Sequence, residues 1–298
     1  MKEEYLQKFL EYIVAEKGYS PRTVETYRSA LLDFSTFCTE LDSQLSWANI
    51  DTDIIRQWIA TRAEQGLDMR TMKKKLSAIR SFYRYMVRMG HVKKNPGHMV
   101  ANPKVAKRLP QFLKQSEADK IFDQLEFNED FEGQRDRLIL LIFYSTGIRL
   151  SELVGLNTED ISLSASELKV LGKRNKERII PFGNELRQAI SHFLPLRQEI
   201  TRISTGPLIT DLKGGRIKRE QVGKIVKKNL TAVTSVKKRT PHTLRHTFAT
   251  IMLNNGADIR AVQELLGHES LVTTEVYTHV SFAQLRKEYE KAHPREKE

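Results

Sequence analysis

A chain of 298 residues, 40% hydrophobic, 8% aromatic and 29% charged, has the composition of an ordinary globular protein of about two domains. Lys plus Arg outnumber Asp plus Glu by 49 to 37, and the resulting net charge of +12 favours a polyanionic partner, because cations at phosphates release condensed counterions. No apolar run approaches the roughly 20 residues that span a bilayer, and one cysteine, Cys38, excludes an internal disulfide and a four-cysteine zinc site. The acidic start MKEEYLQKFLEYIV is unlike a signal peptide, so a cytoplasmic protein without membrane contact is expected.

Residues 1–95 predict a small helical domain. Tyr5, Phe9, Tyr12 and Ile13 share one face of a first helix. Ser20-Pro21 supplies an N-cap and a first-turn proline for a second, with Val24, Tyr27, Leu31 and Phe34 on one side. Asp51–Ala60 reads as a third. In a fourth, Met72, Leu76, Ile79, Tyr83 and Met86 recur at alternating steps of four and three, the pattern of a buried face. At about 100° per residue, Arg70, Lys73, Arg80, Arg84 and Arg88 fall together beside it. Met69 to Ser116 holds 13 basic residues and no acid, whereas a solvated face would mix in acids for i,i+4 pairing. That cationic stripe is therefore expected to contact nucleic acid. Phe82, Tyr83 and Tyr85 read as core rather than as base-stacking platforms.

Pro96, Pro103 and Pro110, with Gly97, mark 96–113 as a linker. Its extended residues would reach about 40 Å, enough to pass around a duplex. Residues 114–298 predict a mixed domain. Leu138–Tyr144 is an apolar helix interior, and Ser151-Glu152-Leu153 opens another helix. Glu167 to Phe182 (ELKVLGKRNKERIIPF) has two β-prone arms around Gly172–Lys176, which predicts a hairpin. Residues 242–254 and 258–266 read as helices, the second ending at Gly267, a natural C′ position. Phe282–Lys291 reads as a short amphipathic helix.

The chain has no Walker or dinucleotide loop, and His242 and His246 stand four apart without the glutamate of a zinc-protease motif. No paired carboxylates suggest magnesium. No metal or other cofactor is expected. What stands out is a set of cations and one tyrosine: Thr146-Gly147-Ile148-Arg149, Lys173 at the hairpin tip, His242-Thr243-Leu244-Arg245 with imidazole and guanidinium on one helix face, Leu266-Gly267-His268, and Tyr277. Taken singly, Tyr277 reads as a packing residue, His268 as a helix-end partner, and either arginine as half of a salt bridge. His91, His98, His246 and His279 keep such readings.

Taken jointly, the strings TGIRLSELVGL, GKRNKERIIPF, PHTLRHTFAT and LLGHESLVTTEVYTHV resemble the four signature segments of the tyrosine recombinases, the phage integrase family, in the same order and with the spacing of its compact Xer-type members. The likeness runs from YSPRTVETYRSALLDF near the N-terminus to the AHPR ending. It implies a two-domain DNA clamp, mainly α with a small β-sheet: a SAM-like core-binding domain over 1–95, the linker 96–113 and a catalytic domain over 114–298. It implies Tyr277 as nucleophile, Arg149 and Arg245 as phosphate ligands, Lys173 as the mobile hairpin lysine, His242 and His268 as the two histidines, and Glu152 as an acid supporting the first arginine. Arg174, where many relatives have glycine, leaves Lys176 a rival to Lys173. The implied reaction cuts and rejoins DNA at a specific site through a 3′-phosphotyrosyl link and a Holliday junction, without ATP.

Four protomers are implied, as a homotetramer or with a sister recombinase, the last helix around Phe282 to Tyr289 docking on a neighbour. Chromosome-dimer resolution under a septal DNA translocase, a part of chromosome partition at cell division, is the first expectation. DNA integration by a mobile element is the second. A type IB topoisomerase and a noncatalytic DNA-binding module are rivals from other classes.

Overall fold

The computed structural model describes residues 3–104, 111–172, 176–267 and 281–296. Two compact units divide the chain, Met1–Arg108 and Leu109–Glu298. The architecture is mainly helical with one small antiparallel sheet, as expected. Among the described residues no helix is long and apolar enough to cross a membrane.

The first unit holds α1 (Glu3–Ala15), α2 (Pro21–Leu41), α3 (Thr52–Glu64) and α4 (Met69–Arg88). Their starts are set by short polar side chains that satisfy orphan amides. Ser20 Oγ accepts from Thr23 N at 3.3 Å, with Pro21 opening α2; Asp51 accepts from Asp53 and Ile54, both at 2.9 Å; Asp68 accepts from Arg70 at 2.7 Å. The expected stripe of α4 is buried throughout: Met72, Leu76, Ile79, Tyr83 and Met86 pack with Phe9, Phe34, Trp47 and Trp58. Phe82 stands edge-on to Phe9 at 5.4 Å, and Tyr83 donates to the Trp47 carbonyl at 3.1 Å, so these rings are core.

The linker expectation is corrected at its start. Thr52 Oγ1 donates to the Pro96 carbonyl at 3.0 Å, Asn95 Nδ2 to the Arg80 carbonyl at 3.0 Å, and Val100 is buried in the first core. Arg80 is the cause: its guanidinium donates to the carbonyls of Gly97 (2.8 Å) and Val100 and to Asn102 Oδ1 (2.7 Å). A loop whose carbonyls find an internal donor gains by folding back. At the other end Leu113 is buried in the second core, its amide donating to Thr247 Oγ1 at 2.9 Å.

The second unit runs α5 (Gln115–Asp123), α6 (Phe131–Thr146), α7 (Leu150–Gly155), β1 (Ile161–Ser162), β2 (Glu167–Leu171), β3 (Glu177–Pro181), α8 (Asn184–Thr201), α9 (Arg219–Val233), α10 (Pro241–Asn254), α11 (Ile259–Leu266) and α12 (Phe282–Ala292). The sheet is ordered β1-β2-β3 and antiparallel, with Leu168 opposite Ile180 and Val170 opposite Arg178. Leu168, Val170 and Ile180 face the core, and cross-strand partners share a face, so the register turns Arg178 inward as well. Helix α6 is buried on every side from Leu138 to Thr146 and ends at Gly147 in the left-handed conformation, φ 59°.

Within the single chain the last helix packs in cis, on its own unit. Leu285, Tyr289 and Ala292 close the protein's own core. Asn255 Nδ2 donates to the Ala292 carbonyl at 2.8 Å, and His293 stacks on Tyr289 with 5.0 Å between ring centroids. Arg295 then binds both Glu185 oxygens at 2.9 Å and Asp123 at 2.6 Å.

Candidate active site

The chain's special backbone positions build the site. Gly147 ends α6 because its φ is positive and because a Cβ there would lie 2.5 Å from Phe248 Cδ1 and 2.9 Å from Leu266 Cδ2. Two residues later Arg149 is the N-cap of α7, and Glu152, in the first turn, accepts from its amide at 2.7 Å. The same carboxylate accepts from Arg149 Nη1 at 2.8 Å and from Arg178 Nη1 and Nη2, both at 2.9 Å.

Arg245, on the buried face of α10, donates to the Gly147 carbonyl at 2.7 Å. A second end then meets these side chains. The last carbonyls of α11 lack helical partners and sit at the negative end of its dipole. The Leu265 carbonyl accepts from Arg178 Nε at 2.8 Å, the Leu266 carbonyl from Arg245 Nη2 at 2.6 Å, and the Gly267 carbonyl from Arg149 Nη2 at 2.8 Å. Three consecutive carbonyls thus each take a different guanidinium, and Gly267, at φ 62°, turns the chain out of the helix.

Electrostatics follow from this packing. Burial alone raises the Glu152 pKa, but the hydrogen bonds from Arg178 and Arg149 overcome it and hold the carboxyl at about 2. Burial and the neighbouring Arg149 charge lower Arg245 to about 10, still cationic at neutral pH. The arginine side chains differ in access: Arg149 is 27% exposed and Arg178 12%. Toward described residues, Arg149 and Arg245 each donate through Nη1 and Nη2 only. Each keeps N–H groups from its five, in the plane of its guanidinium, for an oxyanion.

Of the residues singled out by sequence, the structure brings Arg149, Glu152 and Arg245 into one cluster. His242 is exposed one turn before Arg245, stacked on His246 at 5.4 Å between centroids. Partial burial, with the nearby His242 and Arg245, lowers the His246 pKa. Lys173, His268 and Tyr277 lie outside the described residues. Their neighbours do not: Gly267 belongs to the cluster, and a Cβ on Gly172 would stand 3.6 Å from Arg178 Nη1 and 3.9 Å from Glu152 Oε1. Sequence reasoning missed Arg178. Its signal is strand alternation, since Arg178, Ile180 and Phe182 share the inward face of an arm already read as β.

The stripe on α4 is mixed. Arg70, Lys73 and Arg84 are exposed. Arg88 is also exposed but donates to Tyr12 Oη at 2.9 Å and pairs with Glu16 at 3.4 Å. Arg80 departs from the expectation, because its donors clamp the 97–102 segment.

Comparison with known proteins agrees with the resemblance. The Phage integrase family matches residues 111–284, and the Phage integrase N-terminal SAM-like domain matches residues 6–90. Tyrosine recombinase XerC of Pelobacter propionicus is 41% identical over 293 residues, spanning 98% of this chain and 96% of that protein. Tyrosine recombinase XerC of Thermodesulfovibrio yellowstonii is 40% identical over 300 residues, spanning 99% and 97%. Among solved structures, the XerH site-specific recombinase bound to a palindromic difH substrate shares the fold, with a TM-score of 0.71 at 21% identity over 99% of this chain and 82% of that one. Matched through both of its units, the chain belongs to the phage integrase family, the tyrosine recombinases.

Proposed function

We propose that this recombinase exchanges DNA strands at a specific site through a covalent Tyr277 intermediate. The observation that carries the reading is the seating of Arg149 and Arg245 on adjacent carbonyls, Gly267 and Leu266, directly before His268. A phosphodiester bound there meets two guanidiniums whose planar forks fit its nonbridging oxygens, where charge grows as the phenol attacks. The Tyr277 oxygen bonds to phosphorus, the bond to the 5′ oxygen breaks, and a 3′-phosphotyrosyl link and a free 5′ hydroxyl result. A phenol of pKa near 10 is protonated at neutral pH, so His242 takes its proton, His268 donates to the phosphate, and Lys173 protonates the leaving oxygen. One ester replaces another, so rejoining needs no nucleotide. The α4 stripe supplies phosphate contacts that position the duplex, with Arg70, Lys73, Arg84 and Arg88 in that role.

Chromosome-dimer resolution is proposed ahead of integration of a mobile element, because the likeness to Xer-type recombinases runs along nearly the whole chain. Assembly of four protomers on two sites, alone or with a sister recombinase, is supported by the lambda integrase tetramer bound to a Holliday junction, which shares this fold at a TM-score of 0.68. The test is a nicked duplex carrying a candidate site from the host genome. Incubation followed by a denaturing gel yields a covalent protein–DNA band that Tyr277→Phe abolishes. A band that survives in Tyr277→Phe refutes the nucleophile. Relaxation of any supercoiled plasmid, site or no site, favours a topoisomerase.

A further inference from the structure

The third guanidinium at the end of α11 has no part in the chemistry above. Arg178 reaches the cluster from β3, inward-facing because its register partner is Val170. All three of its nitrogens are engaged: Nη1 and Nη2 form a fork on both oxygens of Glu152, and Nε holds the Leu265 carbonyl. With Nε, Nη1 and Nη2 all given to protein acceptors, it has less left for a phosphate than Arg149 or Arg245, whose Nε donates to no described residue. Gly267 is shaped around it, since a Cβ there would crowd its guanidinium at 3.1–3.3 Å. Arg178 thus joins the strand that follows the hairpin tip, the carboxylate that orients Arg149, and the helix end that seats both phosphate arginines.

We propose that Arg178 is a positioning residue for DNA cleavage, locking Glu152 and the α11 terminus so that Arg149 presents its free donors to the scissile phosphate. This deepens the function proposed above and rests on Arg149 as a phosphate ligand. Glu152 alone against Arg149 could rotate or take up a proton in its buried site; the Arg178 fork fixes both oxygens at once. Among the described residues, the charged groups that face Glu152 are Arg149 from α7, Arg178 from β3 and, through its charge, Arg245 from α10. Removing Arg178 takes away two of the hydrogen bonds that keep this carboxyl ionised.

The experiment measures single-turnover cleavage of the nicked duplex by the full-length protein, beside duplex affinity at fixed salt. Arg178→Ala slows cleavage about 100-fold, as small misplacements of reacting groups do, while affinity changes little. Arg178→Lys keeps the charge and loses the fork, and slows cleavage about tenfold. The rate of Arg178→Ala relative to wild type falls further toward acid pH, because Glu152 has lost two of the bonds that keep it ionised. In a Glu152→Gln background, Arg178→Ala costs far less than it does alone. Arg178→Lys as fast as wild type, a rate ratio independent of pH, or losses that simply multiply with Glu152→Gln would each overturn the proposal. None of these outcomes touches the Tyr277 test, which compares the covalent band of the wild-type protein with that of Tyr277→Phe.

Discussion

Gly147→Ala is the substitution whose cost the structure sets best. A left-handed backbone costs a residue with a Cβ about 1–2 kcal/mol. The new methyl would stand 2.5 Å from Phe248 Cδ1 and 2.9 Å from Leu266 Cδ2, both buried, so packed side chains must move. Crowding of that kind adds about 1–3 kcal/mol, for a total of about 2–5 kcal/mol. Gly206→Ala is the control: it lies in the same unit at φ 86° with nothing within 4 Å, and carries only the backbone cost. Urea unfolding followed by far-UV circular dichroism measures both, because the only tryptophans, Trp47 and Trp58, report on the first unit. Gly147→Ala unfolds at clearly lower urea than Gly206→Ala, and the Gly147→Ala protein also cleaves slowly, since the Gly147 carbonyl holds Arg245. Equal midpoints for the two variants would refute the packing argument.

Glu152 makes stability depend on pH. Its folded carboxyl is held at about 2 against an ordinary 4.5, so it stabilises the fold above the higher value and that contribution drains away as pH falls toward the lower. The difference is worth about 3 kcal/mol; urea midpoints at about pH 6 and about pH 3 should show a smaller acid loss in Glu152→Gln than in wild type. On α4, Lys73→Ala and Arg84→Ala each weaken binding to any duplex and lower the slope of log affinity against log salt by about 0.9. Arg80→Ala instead lowers the unfolding midpoint reported by tryptophan fluorescence, because its donors hold the 97–102 segment.

The helical first unit was legible because each helix carries its own cap and stripe: Ser20, Asp51 and Asp68 at the starts, and the full buried face of α4. The hairpin, the α6 interior and the Gly267 stop were legible for the same local reasons. Long-range partners were not. That Arg80 clamps Gly97 and Asn102 rather than facing outward depends on a loop folding back over α4. Helix α8 hides its period behind an internal Pro195 and a buried Arg197, whose donors go to the Ser204 and Pro207 carbonyls. Helix α9 carries an apolar face at Val222, Ile225, Val226 and Leu230, a spacing that marks a helix but was not singled out. In the site, the Arg149–Glu152 pair is three residues apart and follows from helix geometry, whereas Arg178 needs the strand register and the α11 carbonyls arrive from a helix distant in sequence.

The cis seating of α12 sets the order in which the two units can mature during synthesis. Every described core residue of the first unit lies at or before Val100, so that unit can collapse while the ribosome is still translating the second. The second cannot: Tyr144 packs against His293, and Glu185 is bound by Arg295, so its interior stays open until the residues around 285–295 have emerged. The nascent chain therefore acquires a folded basic module well before it can complete the arginine cluster.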